Sequence, residues 1–297
     1  MIEWLEILRA ACAQAAEAGW LPESLKYAFV VNALLCAMLI GPLLGGIGTI
    51  VVIKRLAFFS QAVGQAALTG VALGILLGEP YTSPYVSLFG FCILFGLVMN
   101  FTRNRTKIAS DTLIGVYLSI SIAVGACLLL FVTGKVNMHV LDQVLFGSIL
   151  TVDNVDMAIL VVISVLCVLL GFRSYNRMLL VSFNPSLARV RNVHPVFLDY
   201  VFIFMITIIT VASVKIIGAV LVEALLLIPA AAARNISGSV RGFFFSSVVI
   251  ATLSCLIGIF LPMQLRLPVP SGGAIIIVGA VFFLISAAIQ PLLAKID

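Results

Sequence analysis

The sequence predicts an all-α fold, a polytopic membrane helix bundle with about nine transmembrane spans. Of its 297 residues, 63% are hydrophobic and only 10% are charged, whereas a soluble globular domain carries roughly 25% charged residues. The apolar residues stand in long blocks rather than in alternation, so lipid must surround most of the fold. The charged residues are too few to cover the surface of a soluble protein of this size.

The first element is an amphipathic N-terminal segment, residues 1–26, which we expect to lie on the outer membrane surface. It lacks the basic leader and apolar core of a signal peptide. Its apolar residues recur at helical spacing: Ile2, Leu5, Leu8, Cys12 and Ala15. Residues 27–297 are predicted to form a single transmembrane domain.

Nine apolar blocks follow, each close to the length of about 20 residues that a spanning helix needs. Only Lys215 interrupts the sixth and seventh, so the block edges are compatible with eight to ten spans. The blocks are 28–53, 57–78, 84–101, 112–133, 154–172, 196–213, 216–233, 242–262 and 272–293.

The Lys and Arg residues set the predicted orientation. With the segment before the first span outside, twelve of the 17 basic residues face the cytoplasm, as the positive-inside rule requires. The other five face outward: Arg9, Lys26, Lys135, Lys215 and Arg266. Because the basic residues stand in short loops between apolar blocks, the net charge of +5 indicates membrane topology and not nucleic-acid binding.

The longest predicted cytoplasmic loop runs from Arg173 to Pro195. Within it, Asn184 can cap a short helix that has Pro185 at its first position. Two interpretations stay open. The short helix could receive force from a motor protein, or the segment could be an ordinary basic loop that fixes topology. Asp199, near the next span, is expected to be a helix-end or interfacial charge.

Several short motifs occur in one order along the chain. They are KRLAFF at 54–59 with QAALTGVALG at 65–74, LFGSIL at 145–150, FNPSLAR at 183–189, VKIIGA at 214–219 with LLLIPAAAAR at 225–234, and LPVPSGGA at 267–274. In these motifs the chain resembles the permease subunits of zinc-, manganese- and iron-type ABC importers. The likeness covers most of the chain from about residue 30 to the end.

The resemblance implies a permease domain over 27–297 in the bacterial inner membrane. It further implies a homodimer, a separate ATP-binding subunit dimer that carries ATP and Mg, and an extracytoplasmic binding protein that delivers a divalent metal. No cofactor is expected in this chain. The chain has no Gly-x-x-x-x-Gly-Lys-Ser/Thr loop, so we expect a transport subunit, not an enzyme. The segment that contacts the ATPase would comprise Asn184, Pro185, Ser186, Leu187, Ala188 and Arg189.

The chain departs from this family at the start of the second span. The family has an Asp there and, four residues later, a His that serve as metal ligands, whereas this chain has Gln61 and Gln65. The spacing still puts both side chains on one helix face. Carboxamide oxygens can bind a hard cation but are weak ligands for zinc.

Two further side chains are candidate ligands. Glu223 stands inside the seventh block, where a carboxylate costs roughly 2.5–3.5 kcal/mol by the insertion scale for Asp. It is expected to face a wet pathway, or else to be a structural carboxylate bonded to a neighbouring span. His139, in the outer loop after the fourth block, is a lesser metal candidate and could equally be a solvated loop histidine.

Other functions stay open at this point. An ion-gradient-driven secondary transporter would share the composition and the buried Glu223, although no inverted repeat of the spans is clear. An ABC permease for a chelated metal or a non-metal substrate would share the motifs. A membrane-embedded enzyme is disfavoured, because the two histidines are predicted in loops. The sequence does not choose among zinc, manganese and iron.

Overall fold

The computed structural model describes residue 6 and residues 27–80, 84–106, 108–133, 152, 154–265 and 269–293. All regular structure in these ranges is helical. The helices are α1 Ala28–Ile53, α2 Phe59–Leu76, α3 Tyr85–Arg105, α4 Ser110–Thr133, α5 Asn154–Phe183, α6 Pro185–Val190, α7 Pro195–Ile217, α8 Ala219–Ile236, α9 Val240–Leu265 and α10 Ser271–Leu293. Every helix except α6 is long and apolar enough to cross a membrane.

The predicted all-α class and the nine spans in this part of the chain are therefore confirmed. The sixth and seventh blocks are separate helices, α7 and α8. Their boundary is Gly218, with φ 84° and ψ 156°, and not Lys215, which lies in the last turn of α7. This positive φ is a conformation that glycine adopts without steric cost. The predicted amphipathic segment and His139 lie outside the described residues, apart from Glu6.

The fifth block is longer than predicted. Helix α5 continues to Phe183, so Arg173 and Arg177 lie on the helix and the predicted loop from Arg173 is wrong. The 30 residues of α5 extend about 45 Å at 1.5 Å per residue, well beyond the roughly 30 Å of a hydrocarbon core. Hydropathy marks where a helix leaves lipid, and the helix can continue into the headgroup layer.

The centre of the described bundle is formed by α1, α2 and α7, which are its most buried helices. The outer helices carry large exposed apolar side chains, such as Phe172 on α5, which is 92% exposed, and Leu130 on α4, which is 78% exposed. Such surfaces are unfavourable in water and are ordinary for helices that contact lipid.

One end of the bundle collects basic side chains, and we call it the basic end. Arg55, Arg234 and Phe183 line one cavity there, and Lys54 pairs with Asp199 at the start of α7. The opposite, outer end has Lys215 paired with Asp156. The end of α1 thus meets the start of α7, so α1 runs toward the basic end and α7 runs away from it.

Helix α8 runs in the same direction as α1. Gly48 contacts Leu226 and Ala230, and nearer the basic end Val52 and Ile53 pack against Ala230 and Ala233. The contact is close, because a Cβ added at Gly48 would lie 2.2 Å from the carbonyl oxygen of Leu226.

We expect Gly48→Ala to destabilise the bundle by roughly 1–3 kcal/mol, the usual cost of overpacking, because the added methyl group would force α1 and α8 apart. The control is Gly90→Ala on α3, where an added Cβ meets nothing within 4 Å. Thermal unfolding in detergent, followed by size-exclusion chromatography, measures both. Equal melting temperatures for the two variants would contradict the assigned α1–α8 contact.

Candidate functional site

The two glutamines project from one face of α2. Gln61 and Gln65 are half-buried, whereas Ala62, Val63 and Gly64 between them are buried. A helix turns once every 3.6 residues, so the two carboxamides stand one above the other and point toward the same space. The predicted shared face is consistent with this pattern of exposure.

Glu223 follows the break between α7 and α8. It is half-buried and lies one turn after Gly218. The sequence placed Glu223 inside the seventh block, and it does lie inside that span, four residues after α8 begins at Ala219. Among the described residues, none makes a hydrogen bond or an ion pair with the Glu223 carboxylate.

Helices α2 and α8 meet at Gly64. A Cβ added there would lie 3.1 Å from the Cβ of Ala219 and 4.0 Å from Val214. Because glycine has no side chain, the start of α8 can approach the α2 backbone closely.

This contact sets the relative depth of the polar side chains. Helix α2 runs away from the basic end, because it begins just after the corner at Lys54, and α8 runs toward it. Along the helix axes, Gln61 therefore lies about 4.5 Å from Gly64, and Glu223 about 6 Å from Ala219, both on the basic side of the contact. The structure brings Gln61 and Glu223 to a similar depth on adjacent helices.

The donor set is made of oxygen atoms. In the part of the chain that the structure describes, no group of three or more His, Cys, Asp or Glu side chains is close enough to hold a metal ion. Two carboxamides and one carboxylate would bind a hard cation in preference to one that favours nitrogen or sulfur. They would bind it weakly, which suits a site that an ion must leave.

The helix predicted from Asn184 and Pro185 is present as α6. The Asn184 Oδ1 atom accepts a hydrogen bond of 3.0 Å from the backbone N–H of Leu187, so the predicted cap is confirmed. Ala188 is fully buried against the bundle, whereas Leu187 is 45% exposed and Val190 is 80% exposed. Helix α6 is thus anchored on one side and presents two apolar side chains on the other.

An ion pair that the sequence analysis did not predict joins the start of α7 to the corner between α1 and α2. Lys54, between α1 and α2, donates to Asp199, and their side chains are only 6% and 17% exposed. The Lys54 Nζ atom also lies 5.6 Å from the centre of the Phe202 ring. Asp199 was expected to be a helix-end or interfacial charge; it lies near the start of α7 and joins that helix to the corner that leads into Gln61. The only sequence feature that could have indicated this ion pair is that Lys54 and Asp199 carry opposite charges and were both predicted on the cytoplasmic side.

A second polar cluster holds the outer end together. Asp156 at the start of α5 accepts a hydrogen bond of 2.5 Å from the Tyr85 hydroxyl and lies 2.8 Å from the Lys215 ammonium. The Lys215 Nζ atom also lies 3.6 Å from the centre of the Tyr85 ring. Helices α3, α5 and α7 are therefore joined at the outer end, as α1 and α7 are at the basic end.

Comparison with known proteins matches nearly the whole bundle. The profile of the ABC 3 transport family matches residues 26–290. The chain is 29% identical to the manganese import system permease protein ScaB of Streptococcus parasanguinis, over 90% of this chain and 92% of that protein. It is 28% identical to the probable iron transport system membrane protein of Haemophilus influenzae, over 91% and 96% of the two chains.

Solved structures agree with these matches. The structure of PsaBC from Streptococcus pneumoniae in complex with Fab superposes with a TM-score of 0.75 and 28% identity, over 88% of this chain and 91% of that chain.

Proposed function

The chain belongs to the ABC 3 transport family, and we propose that it is the permease subunit of an importer that carries a divalent metal ion across the bacterial inner membrane. Membership in this family favours the ATP-driven importer over the gradient-driven transporter that the sequence left open. The observation that carries the choice of cargo is the set of half-buried oxygen donors beside the α2–α8 contact, Gln61, Gln65 and Glu223. We propose manganese or ferrous iron as the cargo, because oxygen ligands favour harder cations than zinc.

The half-buried face of α2 and α8 supports a second permease copy. Polar side chains at this depth avoid lipid, because exposing a carboxylate or carboxamide to hydrocarbon is costly. In a homodimer the second copy would cover Gln61, Gln65 and Glu223, and the ion would cross at the interface between the two copies.

The other proposed partners sit at opposite ends of the bundle. An ATP-binding subunit dimer, which holds ATP and Mg, would dock on α6 at the basic end, where Leu187 and Val190 are exposed. An extracytoplasmic binding protein would deliver the metal at the outer end. The excess of Lys and Arg at the basic end supports a cytoplasmic location for that end.

The function is tested by reconstituting the permease, its ATPase and its binding protein in liposomes. We expect ATP-dependent uptake of manganese or ferrous iron, with zinc carried more slowly because zinc prefers nitrogen and sulfur ligands and the proposed donors Gln61, Gln65 and Glu223 offer oxygen atoms. Radioactive or dye-detected metal uptake measures the rates, and liposomes without ATP are the control.

Two results would contradict the proposal. Uptake that needs a proton or sodium gradient and no ATPase would restore the secondary transporter. ATPase stimulation only by a binding protein loaded with a chelated metal or a non-metal compound would replace the free ion as cargo.

A further inference from the structure

A cavity of about 760 Å³ lies between the end of α5 and the start of α7 at the basic end. It is separate from the α2–α8 contact and from the exposed side chains of α6. Its polar lining consists of Arg173, Ser174, Asn176, Arg177, Arg191, Asn192 and His194. The function proposed above uses none of these side chains.

The charges in the cavity are uncompensated. Arg173, Arg177 and Arg191 line it together and no carboxylate does. The two ion pairs within the described ranges join Lys54 to Asp199 and Lys215 to Asp156, so neither involves these arginines. Three guanidinium groups around one space repel one another, and a bound anion would remove that repulsion.

Arg173 and Arg177 lie at a depth that matches the surface of the membrane. Asn154 begins α5 at the outer end, and Arg173 lies about 28 Å further along the helix axis, close to the roughly 30 Å thickness of a hydrocarbon core. Arg177 lies one turn beyond Arg173. The guanidinium groups are therefore at the level of phospholipid phosphate groups.

The cavity continues into an apolar surface that faces the bilayer. Phe197 lines the cavity and is 67% exposed, and Phe172, which precedes Arg173, is 92% exposed. One turn toward the membrane centre, Leu169 is 65% exposed. A cationic cavity joined to an exposed apolar strip matches a molecule with a phosphate at one end and hydrocarbon at the other.

We propose that this cavity binds the headgroup of an anionic phospholipid, with the acyl chains along Phe172 and Leu169. Guanidinium groups form paired hydrogen bonds with phosphate oxygens, and basic pockets between helices on the cytoplasmic side are typical headgroup sites. Arg191 directly follows α6, and His194 directly precedes α7. A bound lipid would hold the segment between α6 and α7 against α5, and so fix the position of α6 on the bundle.

The test is native mass spectrometry of the purified permease exchanged into mixed phosphatidylglycerol and phosphatidylcholine. Wild type is expected to retain phosphatidylglycerol in preference to phosphatidylcholine. The double variant Arg173→Gln/Arg177→Gln should retain it roughly 30-fold less well, from about 1 kcal/mol for each arginine near an anionic surface. The control Arg105→Gln/Arg241→Gln removes the same charge from elsewhere at the basic end and should retain the lipid as wild type does.

Further arms separate the lipid from other occupants. If the double variant does not purify as a single species, Arg191→Gln alone is measured and should also weaken retention. Equal retention by wild type and the cavity variant would overturn the proposal. Displacement of the lipid by millimolar inorganic phosphate would overturn it in favour of a free-anion site. Loss of the lipid when the ATPase is added would overturn it in favour of a protein-covered surface.

Discussion

Replacing Leu187 with Asp is expected to abolish ATP-driven uptake while the permease still inserts and folds. Leu187 is 45% exposed on α6 at the basic end, so the change leaves the buried bundle untouched. If α6 docks into a groove of the ATPase, the new carboxylate would be buried there without a partner. An uncompensated buried charge costs about 3–5 kcal/mol, more than a 100-fold loss of affinity.

Two measurements check this result, namely co-purification of the ATPase with the permease and uptake in liposomes. The control is Leu187→Met, which keeps an apolar side chain of similar volume and should leave both near wild type. The ATPase groove would not involve α6 if Leu187→Asp co-purified and transported like the control.

The spans were predictable because a helix that crosses lipid needs about 20 predominantly apolar residues, and such blocks are visible in the sequence. Each of the nine long helices coincides with a predicted apolar block, and α6 follows from the local preference of Asn184 and Pro185 for a helix start. The end of α5 was not predictable from hydropathy, because Arg173 and Arg177 are adequate helix formers and α5 continues to Phe183, directly before Asn184, which caps α6.

The candidate site was predictable only where its geometry is local. The shared face of Gln61 and Gln65 follows from their spacing along one helix. The depth of Glu223 depends on the backbone of Gly218, where a positive φ starts α8, and hydropathy does not register such a break. The pairing of Lys54 with Asp199 joins residues 145 positions apart, so it depends on how α1 packs against α7.

The ion pair at the basic end of α7 suggests how movement of the ATPase could be transmitted from α6 to the proposed metal pathway. Helix α6 is followed by α7, Asp199 near the start of α7 pairs with Lys54, and Lys54 begins the corner before α2. A displacement of α6 would therefore move the start of α2, which carries Gln61. Docking of the ATPase on α6 and passage of the metal past Gln61 would then be linked through the ion pair between Lys54 and Asp199.

Replacing Glu223 with Gln is expected to reduce metal uptake by roughly 10- to 100-fold without loss of assembly. The change keeps the side-chain volume and removes the only carboxylate, among the residues that the structure describes, beside the α2–α8 contact. A unit charge about 4 Å from a cation contributes about 4 kcal/mol at an effective dielectric constant of 20, and the half-exposed position reduces this by solvent screening. Uptake at saturating binding protein measures the effect, with ATPase co-purification as the check on assembly.

The matched control is Glu79→Gln at the end of α2. Glu79 accepts hydrogen bonds from the backbone N–H and the hydroxyl of Ser87, and glutamine keeps an acceptor oxygen for both. Its uptake should stay near wild type, because Glu79 lies near the outer end of α2, away from the Gly64 contact. Normal transport by the Glu223→Gln variant would contradict a role for the carboxylate in metal transport and would mean that its role is structural.

The complementary change restores the family's ligand types. The double variant Gln61→Asp/Gln65→His should raise the ratio of zinc to manganese uptake, because an imidazole nitrogen and a carboxylate are ligands that zinc prefers. The single variant Gln61→Asp separates added charge from added nitrogen, since it should raise manganese and zinc uptake together. The ratio carries more information than the rate, because altered folding changes uptake of both metals alike. An unchanged ratio in the double variant would place the metal's selective contacts away from this face of α2.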